Sequence, residues 1–505
     1  MKRFLTLFLA LFLVSTSFSA FGCAKKDESV TILRVCNCED YIDETLLEDF
    51  EEEYPDIKVV YSTYGTNENL YNELVINPNS YDLVVPSEYM IEKLAVEGRI
   101  QKLDFTNSTV NLDKNYLYDY SSNVSAYIQD RLDGIIIDSN GTKLSDFMVG
   151  YMWGTMGWVY NRDNVSDLDV KNWDSPFKNP ALNQKITIKD AVRDSYLVGL
   201  AMVYQNELKN AQNNESITQI LNRTSQVDID KVGEKLSSLK SMLYGFEVDS
   251  GKNDIVLGRI DAYVAWSGDA AYAIDVAAGE VEDEDGSFIE GDSIRDLSYS
   301  IPEEGSNIWF DGFVMPSGST NYDAVYKFLE FISRPESVYR NMNYTGYTSM
   351  IVNGDFETED ENGQTYSTNL YDEVVIGWFD EEDGQLIDLS YLYGAPDGTY
   401  TVTVSDENFG RFIAQYPTKE IVARCAVMSY FDNDTLMNIN DMWEGVKGET
   451  FPTWFIILIV AVVVLLAVIV VLYRNKSLIK WLKLPEFKND KMERKGYKKI
   501  KTENL

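Results

Sequence analysis

Residues 30–96 decide the fold, and they read VTILRVCNCEDYIDETLLEDFEEEYPDIKVVYSTYGTNENLYNELVINPNSYDLVVPSEYMIEKLAV. Three short runs rich in β-branched residues alternate there with three stretches whose apolar residues recur at helical spacing. The runs predict strands and the stretches predict helices, in the order 30–36, 43–50, 57–61, 67–75, 81–85 and 88–96. A strand followed by a helix, three times over, predicts a parallel sheet covered on both faces and joined by right-handed crossovers. The predicted fold class is therefore α/β.

Polar side chains follow each of these predicted strands. The strands run into NCEDY at 37–41, STYGTN at 62–67 and PSEY at 86–89. Because ligands of parallel sheets bind outside the carboxyl ends of the strands, these three segments form the candidate binding site. No GxGxxG follows the first strand, so a dinucleotide is not expected there. Aromatic, hydroxyl and carboxylate groups stand in its place.

A second α/β unit follows, and the chain then returns to the first. Further strands are predicted at 185–189, 262–266 and 307–310. The first of these runs into Asp190 and Asp194, which lie one helical turn apart if a helix starts there, and the last runs into Asp311. Residues 353–410 are acidic, contain Asp-Gly turns and include the alternating TYTVTVS, so we expect a β-rich surface insertion.

The composition excludes several classes of function. The chain has 505 residues, with 44 Lys and Arg against 81 Asp and Glu, no histidine, and a formal net charge of −37. This charge repels phosphate backbones, so no nucleic-acid partner is expected. Without histidine there is no Ser-His-Asp or Cys-His catalytic site and no histidine-ligated zinc. The sequence also lacks a GxxxxGK[ST] phosphate loop, and its acidic loops fit no calcium motif, so neither a cofactor nor a metal is expected.

Two apolar segments predict where the protein is located. Residues 1–23 combine a basic start, an apolar run and small residues before Cys23, which predicts an export signal with lipidation of Cys23; ordinary cleavage nearby is the alternative. Residues 454–473 are uncharged and long enough, at about 1.5 Å per residue, to cross a bilayer as a transmembrane helix. The tail 474–505 carries 11 Lys and Arg against 4 Asp and Glu, which predicts a cytoplasmic tail. We therefore expect a cell-membrane protein whose region between the two segments is extracytoplasmic.

Eight blocks of the sequence resemble the spermidine/putrescine-binding proteins of bacterial ABC importers. They are NCEDYI (37–42), YSTYGTNENLY (61–71), YDLVVPSEYMIEKL (81–94), YMWGTMGWVYN (151–161), KDAVRD (189–194), VAWSGDA (264–270), IWFDGFVMP (308–316) and MNYTGYT (342–348). The resemblance covers residues 31–448, apart from the insertion and some longer loops. It implies a two-lobed periplasmic-binding-protein fold of type II that closes on a polyamine. It also implies that the protein is not an enzyme and that it delivers the polyamine to an ABC permease and its ATPase. The implied bounds are 31–157 with part of 312–348 for lobe 1, and 158–311 with part of 411–448 for lobe 2.

The resemblance also implies which residues contact the ligand. The aromatic contacts fall on Tyr41, Tyr89, Trp266, Trp309 and Tyr347, the hydroxyl contact on Ser87, and the amine-binding carboxylates on Asp311 and on the pair Asp190 and Asp194. Two positions depart from the family's pattern: Cys38 stands where an aromatic residue is usual, and Glu39 adds a carboxylate. A polyamine needs carboxylates at amine spacing and aromatic faces for its methylene groups, and these residue types supply both.

The resemblance further places Cys38 and Cys425 near the same cleft. Because an exported protein permits oxidation, we predict a disulfide between them. Three other functions remain open. The chain could bind another cationic solute, act as a cell-surface hydrolase through two of these carboxylates, or serve as an adhesin whose insertion binds a partner.

Overall fold

The computed structural model describes residues 30–106, 117–279, 295–359 and 363–448, together with three isolated positions, 461, 462 and 468. The predicted export signal with Cys23 and the predicted tail 474–505 lie outside the described residues, as does the predicted membrane helix 454–473 apart from those three positions. Within the described ranges, no helix is long and apolar enough to span a membrane. The described residues as far as Val446 form one compact unit.

The strands confirm the predicted α/β class. In chain order they are β1 Thr31–Cys38, β2 Ile57–Tyr64, β3 Leu83–Val84, β4 Met148–Asn161, β5 Ile186–Lys189, β6 Gly245–Glu247, β7 Ala262–Trp266, β8 Leu297–Ser300, β9 Ser306–Val314, β10 Thr348–Ser349, β11 Asp355–Glu359, β12 Thr365–Asn369, β13 Gln385–Asp388, β14 Thr401–Val404 and β15 Cys425–Ala426.

The helices alternate with these strands over most of the chain. In chain order they are α1 Thr45–Glu53, α2 Asn67–Ile76, α3 Glu88–Val96, α4 Tyr118–Asn123, α5 Ala126–Asp133, α6 Asp167–Val170, α7 Val192–Val203, α8 Gln205–Lys209, α9 Asn214–Leu221, α10 Gln226–Leu239, α11 Gly251–Val256, α12 Ser267–Ala278, α13 Tyr322–Ile332, α14 Pro335–Thr345, α15 Gly377–Phe379, α16 Phe409–Gln415, α17 Lys419–Val422 and α18 Asn433–Lys447. Short 3₁₀ turns lie at Leu144–Asp146, Pro176–Lys178, Pro180–Leu182 and Lys240–Met242, and a π-helical turn lies at Asp372–Ile376.

The first three strands pair as the sequence predicts. β1 lies between β2 and β3 and is parallel to both, with Thr31 opposite Ile57 and Val35 opposite Leu83. α1 packs its apolar face inward through Leu46, Leu47 and Phe50. This arrangement brings the carboxyl ends of three strands to one edge, where their loops begin.

Two long strands join the two lobes of the protein. In the described residues, one mixed sheet runs in the order β2-β1-β3-β9-β4-β7-β5-β6, and β8, β10 and β15 pair at its sides. β4 pairs with β9 and β10 along its first part and with β7 and β8 along its second part. All 14 residues of β4 are buried, because both lobes cover it. The lobe that contains β1–β3 and the lobe that contains β5–β7 therefore share β4 and β9.

The insertion is a mixture of hairpins and helical turns. β11 and β12 pair as one antiparallel hairpin, and β13 and β14 as another. In β14 the alternation that predicts a strand is visible, because Val402 and Val404 are fully buried while the two threonines beside them are partly exposed. The π-helical turn and α15 lie between the two hairpins, so the segment is less uniformly β than its composition predicts.

The predicted disulfide between Cys38 and Cys425 is wrong. Cys36, Cys38 and Cys425 are all free. Cys425 lies opposite Ser306 at the start of β9, whereas Cys38 lies near Asp311, close enough for their charges to interact. Asp311 lies five residue steps beyond Ser306 along β9, which at about 3.3 Å per step is roughly 16 Å. That spacing exceeds the reach of a disulfide, for which the Cα atoms lie within about 7 Å.

Candidate ligand-binding site

A cavity of about 120 Å³ lies where strands of both lobes end. Loops that follow β1, β2, β3, β5 and β7 contribute to its wall, and β9 contributes Asp311. This is the crevice in which parallel sheets hold their ligands, because neighbouring loops diverge at the carboxyl ends of the strands. Nine of the ten candidate ligand-binding residues line the cavity: Glu39, Tyr41, Ser87, Tyr89, Asp194, Trp266, Trp309, Asp311 and Tyr347.

Asp311 carries a carboxylate that no basic side chain neutralises within the described residues. Its Oδ2 accepts a hydrogen bond of 2.7 Å from the Tyr41 hydroxyl, and its Oδ1 is buried without a donor in hydrogen-bond geometry there. Burial raises the pKa of Asp311 to about 6, and the hydroxyls of Ser87 and Tyr41 limit the rise. Burial without a neighbouring cation disfavours the charged form of a carboxylate, so a cationic ligand would be stabilised beside it.

Asp194 and Glu68 form a second acidic group in the cavity wall. Asp194 lies in the first turn of α7 and is 8 % exposed. Burial and the neighbouring Glu68 raise the pKa of Asp194 to about 7, against the opposing effect of Arg193. Glu68, from α2, accepts a hydrogen bond of 3.2 Å from the Tyr89 hydroxyl, and burial raises its pKa as well. Two neighbouring carboxyl groups with raised pKa values favour a bound proton or a bound cation beside them.

Arg193 also lines the cavity, next to this acidic group. Its Nη2 donates to Asn222 Oδ1 at 2.6 Å, and its guanidinium lies 4.3 Å from the centroid of the Phe431 ring. It lies outside ion-pair distance of Asp194, because no described arginine or lysine lies within 4.0 Å of that carboxylate. Arg193 therefore fixes the start of α7 against the C-terminal part of the unit, and its charge limits the rise in the pKa values of Asp194 and Glu68 without forming an ion pair.

The aromatic side chains of the wall are held rigidly. Trp309 donates from Nε1 to the Thr155 carbonyl oxygen at 3.2 Å, and its ring meets Tyr347 edge-on at 5.7 Å. The Tyr347 hydroxyl donates to Asp269 Oδ1 at 2.8 Å. The Lys189 ammonium lies 4.1 Å from the centroid of the Trp266 ring, so one face of that ring is already occupied. A ligand therefore meets one remaining face of Trp266.

The carboxylates at the Lys252 side of the cavity differ from Asp311 and Asp194 because lysines neutralise them. Lys252 Nζ lies 3.1 Å from Asp249 Oδ1 and 3.4 Å from Asp40 Oδ2. Lys189 Nζ lies 3.3 Å from Asp269 Oδ2. The cavity thus contains some carboxylates that are paired within the protein and some that are not.

Asp190 lies outside the cavity, contrary to the implied binding set. The helix predicted to start there begins at Val192 instead, which places Asp190 in the turn after β5. Its Oδ1 accepts a hydrogen bond of 3.0 Å from Trp443 Nε1 in α18. Asp190 thus ties α18 to the sheet, and Asp194 alone of the pair reaches the cavity.

Several lining residues were not identified from the sequence. Glu68 lies one residue beyond the strand-end segment 62–67, and Asp269 lies in the SGDA block that follows β7, so both had a positional signal. Asp249 and Lys252 follow β6, which has three residues and gives no recognisable pattern. Among the described residues, no group of three potential ligands is placed to hold a metal ion.

Taken together, the two lobes, the shared strands and the cavity between the strand ends define a solute-binding protein. The chain belongs to the family described as bacterial extracellular solute-binding protein, which matches residues 45–361. This confirms the family relationship that the sequence blocks indicate. A spermidine/putrescine-binding periplasmic protein of Salmonella typhimurium is 25% identical over 312 residues, which are 62% of this chain and 75% of that protein. A putrescine-binding periplasmic protein of Escherichia coli K12 is 28% identical over 324 residues, 63% of this chain and 77% of that protein.

Solved structures support the two-lobed fold. A putative spermidine/putrescine ABC transporter protein from Listeria monocytogenes aligns with a TM-score of 0.56 at 22% identity, covering 83% of this chain and 99% of that one. A spermidine/putrescine ABC transporter substrate-binding protein from Streptococcus pneumoniae aligns with a TM-score of 0.52 at 23% identity, covering 83% and 98%. At these identities the likeness establishes the fold, and the ligand has to be argued from the cavity.

Proposed function

We propose that this protein is the extracytoplasmic substrate-binding protein of a bacterial ABC importer and that its ligand is a polyamine. The observation that carries the proposal is the presence of carboxylates without basic partners, at Asp311 and Asp194, in a cavity walled by aromatic rings. Relatives named for spermidine or putrescine support the same class of ligand. The partners on this proposal are an ABC permease and its ATPase.

The chemistry of the wall suits a flexible chain with an ammonium group at each end. One ammonium would donate to Asp311, whose other oxygen already accepts from Tyr41. The second would lie near Asp194 and Glu68, where it would stabilise the charged forms that burial disfavours. The methylene groups would pack on Trp266 and Trp309.

Closure of the two lobes would bury the ligand between them. On this proposal the moving bodies are residues 31–157 with part of 312–348, and residues 158–311 with part of 411–448. β4 and β9 run through both bodies, so bending along these two strands would permit the motion.

We also propose that the ligand is bound and released without chemical change. A carboxylate hydrolase needs an acid and a base whose pKa values are pushed in opposite directions. Here the pKa values of Asp311 and Asp194 are both raised, to about 6 and about 7. Two acids shifted in the same direction suit the binding of a cation better than acid-base catalysis.

Native mass spectrometry of the purified protein tests the ligand directly. We expect a bound species with the mass of putrescine or spermidine, released intact on unfolding. A cationic ligand of another mass would replace the polyamine assignment and keep the binding function. A protein that carries no cation as purified, and that gains none when either polyamine is added at saturating concentration, would contradict the proposed function.

We further propose that the segment 454–473 holds the protein at the cell membrane, with the tail 474–505 in the cytoplasm and Cys23 as a lipid anchor. A transmembrane helix is retained effectively irreversibly, whereas acyl chains anchor more weakly. The receptor would then stay within reach of its permease at high effective concentration. Fractionation of cells that express either a chain ending at 451 or the full-length Cys23→Ala variant tests which of the two segments anchors the protein. Release of full-length Cys23→Ala into the medium, with the shortened chain still fully in the membrane, would contradict this proposal.

A further inference from the structure

The cavity has two regions that differ in how their carboxylates are balanced. Asp311, Asp194 and Glu68 have no lysine or arginine within ion-pair distance among the described residues. Asp40 and Asp249, which also line the cavity, both lie within 3.4 Å of the Lys252 ammonium. The protein thus keeps two cations of its own in the described part of the cavity wall, Arg193 and Lys252, and of these Lys252 is the one that forms ion pairs with lining carboxylates.

The Lys252 side chain is more buried than its two acidic partners, since the side chains of Asp40 and Asp249 are 74% and 42% exposed. Lys252 belongs to α11, and its side chain is 11% exposed. Its Nζ donates to Asp40 Oδ2 at 3.4 Å and lies 5.6 Å from the centroid of the Tyr272 ring. Asp269 and Asp249 also attract it, and these charges raise the pKa of Lys252 in spite of its burial. The ammonium is therefore charged at neutral pH and surrounded by the groups that would otherwise attract an amine of the ligand.

Asp40 and Asp249 approach Lys252 from different lobes. Asp40 follows β1, in the lobe that contains β1–β3. Asp249 follows β6 in the other lobe. Lys252 therefore bridges the two lobes at this side of the cavity, as an ammonium of a bound ligand would.

A wide groove begins where Lys252 stands. The groove has a volume of about 960 Å³ and shares Asp40, Lys252, Asp269 and Tyr347 with the cavity. From there it continues to Trp378 of the insertion. Lys252 therefore lies at the boundary between the cavity and the groove.

We propose that Lys252 determines ligand length: its ammonium occupies the place of a further amine, so that the cavity accepts a short diamine and discriminates against longer polyamines. This inference rests on the proposed function and deepens it. A third amine that reached this region would have to compete with the Lys252 ammonium for two partly exposed carboxylates or lie beside it as a like charge, and the like-charge repulsion is unfavourable. A diamine uses the unpaired carboxylates and leaves the Lys252 pairs intact.

Calorimetric titration with putrescine, longer α,ω-diamines and spermidine tests the inference. The wild-type protein should bind putrescine at least about tenfold more tightly than spermidine. Lys252→Met keeps the apolar stem and removes the charge, and it should reduce that ratio by about tenfold and move the best diamine to a longer chain. Lys252→Arg should keep the preference for putrescine. Lys171→Met, which removes an exposed lysine paired with Glu303, is the matched control and should behave like the wild type.

Each outcome decides between the two claims. Wild-type protein that binds spermidine as tightly as putrescine overturns the length inference and leaves the polyamine function standing, and so does Lys252→Met with an unchanged ratio. Wild-type protein that binds none of the amines overturns both. If Lys252→Met fails to fold, the wild-type series and Lys252→Gln decide the question in the same way.

Discussion

The partner of each carboxylate decides its role in the cavity. Asp269 is neutralised by Lys189 and accepts from Tyr347, so it holds the wall together. Asp311 and Asp194 have raised pKa values, about 6 and about 7, because they are buried without such partners. A bound ammonium would lower both pKa values by stabilising the charged form. Ligand binding and proton release are therefore linked at these two residues.

Putrescine binding should weaken as the pH falls from 8.5 to 5.5. Below pH values of about 7 and about 6, Asp194 and then Asp311 hold a proton in the free protein, and this proton must leave when the ammonium binds. We expect the release of about one proton per ligand near pH 6 and almost none at pH 8.5. Calorimetry in two buffers of different ionisation enthalpy measures this number. Affinity that is constant over the range, with no proton exchange, would contradict the assignment.

The pair Asp190 and Asp194 shows why single residues are hard to assign from sequence. Their spacing predicts one face of a helix, and that expectation requires the helix to begin at Asp190. It begins at Val192, because Asp190 still takes part in the pairing of β5 with β6, where its amide donates to the Glu247 carbonyl oxygen. A shift of two residues at a helix start is within ordinary error, yet it moves one of the two carboxylates out of the cavity.

At the scale of helices and strands, close backbone approaches shape the wall. Gly268 lies in the first turn of α12, directly after the strand that ends at Trp266. A Cβ atom at this position would lie 2.2 Å from Cγ of Tyr347, so the Tyr347 ring lies flat against the glycine. The ring needs this contact to direct its hydroxyl to Asp269.

Gly268→Ala should therefore damage both stability and binding. The added methyl group has to push the Tyr347 ring away, and such overpacking costs about 1–3 kcal/mol in the free energy of unfolding. We expect ligand affinity to fall severalfold with it, as measured by denaturant unfolding and calorimetry. Gly245→Ala is the matched control, because no heavy atom lies within 4 Å of its added Cβ. The same behaviour in both variants would show that the Tyr347 contact is unimportant.

Local elements were predictable and their long-range pairing was not. The strands and helices of residues 30–96 follow from hydrophobic periodicity, and α3 spans Glu88–Val96 as predicted. β4 carries no such signal, because all its residues are buried and neither alternation nor helical spacing results. Its pairing with β9 joins residues more than 150 positions apart, as Thr155 with Ile308, and no local pattern encodes that. Lys252 could not be placed in the cavity for the same reason.

Over the whole molecule, the buried carboxyl groups make stability depend on pH. Glu88 is fully buried, and its pKa is raised to about 8, mainly by burial and further by the charge of Asp311. Asp194 and Asp311 follow at about 7 and about 6. In the unfolded chain these groups titrate near 4, so the folded protein binds more protons than the unfolded one between pH values of about 4 and 8. The stability that these groups contribute is therefore present at low pH, and it is lost as the pH rises through their pKa values in the folded protein.

The ligand-free protein should therefore be more stable at pH 6 than at pH 9. We expect the free energy of unfolding to be higher at pH 6 than at pH 9 by on the order of 1–3 kcal/mol, since one pKa unit is worth about 1.4 kcal/mol. Denaturant unfolding at both pH values measures it. Saturating putrescine should flatten or reverse the trend, because acid weakens binding. A ligand-free protein that loses stability between pH 9 and pH 6 would contradict the burial of these carboxyl groups.

The most direct test of the account is a calorimetric titration of putrescine into the wild-type protein, Asp311→Asn and Asp190→Asn. Asparagine keeps the acceptor for the Tyr41 hydroxyl and removes the charge, so Asp311→Asn should lose about 2 kcal/mol or more, tens-fold in affinity. Asp190→Asn keeps an acceptor for Trp443 and lies outside the cavity, so its affinity should stay within about twofold of the wild-type value. If Asp311→Asn binds putrescine like the wild type, or if Asp190→Asn loses as much affinity as Asp311→Asn, then the assignment of Asp311 as the amine-binding carboxylate of this cavity is wrong.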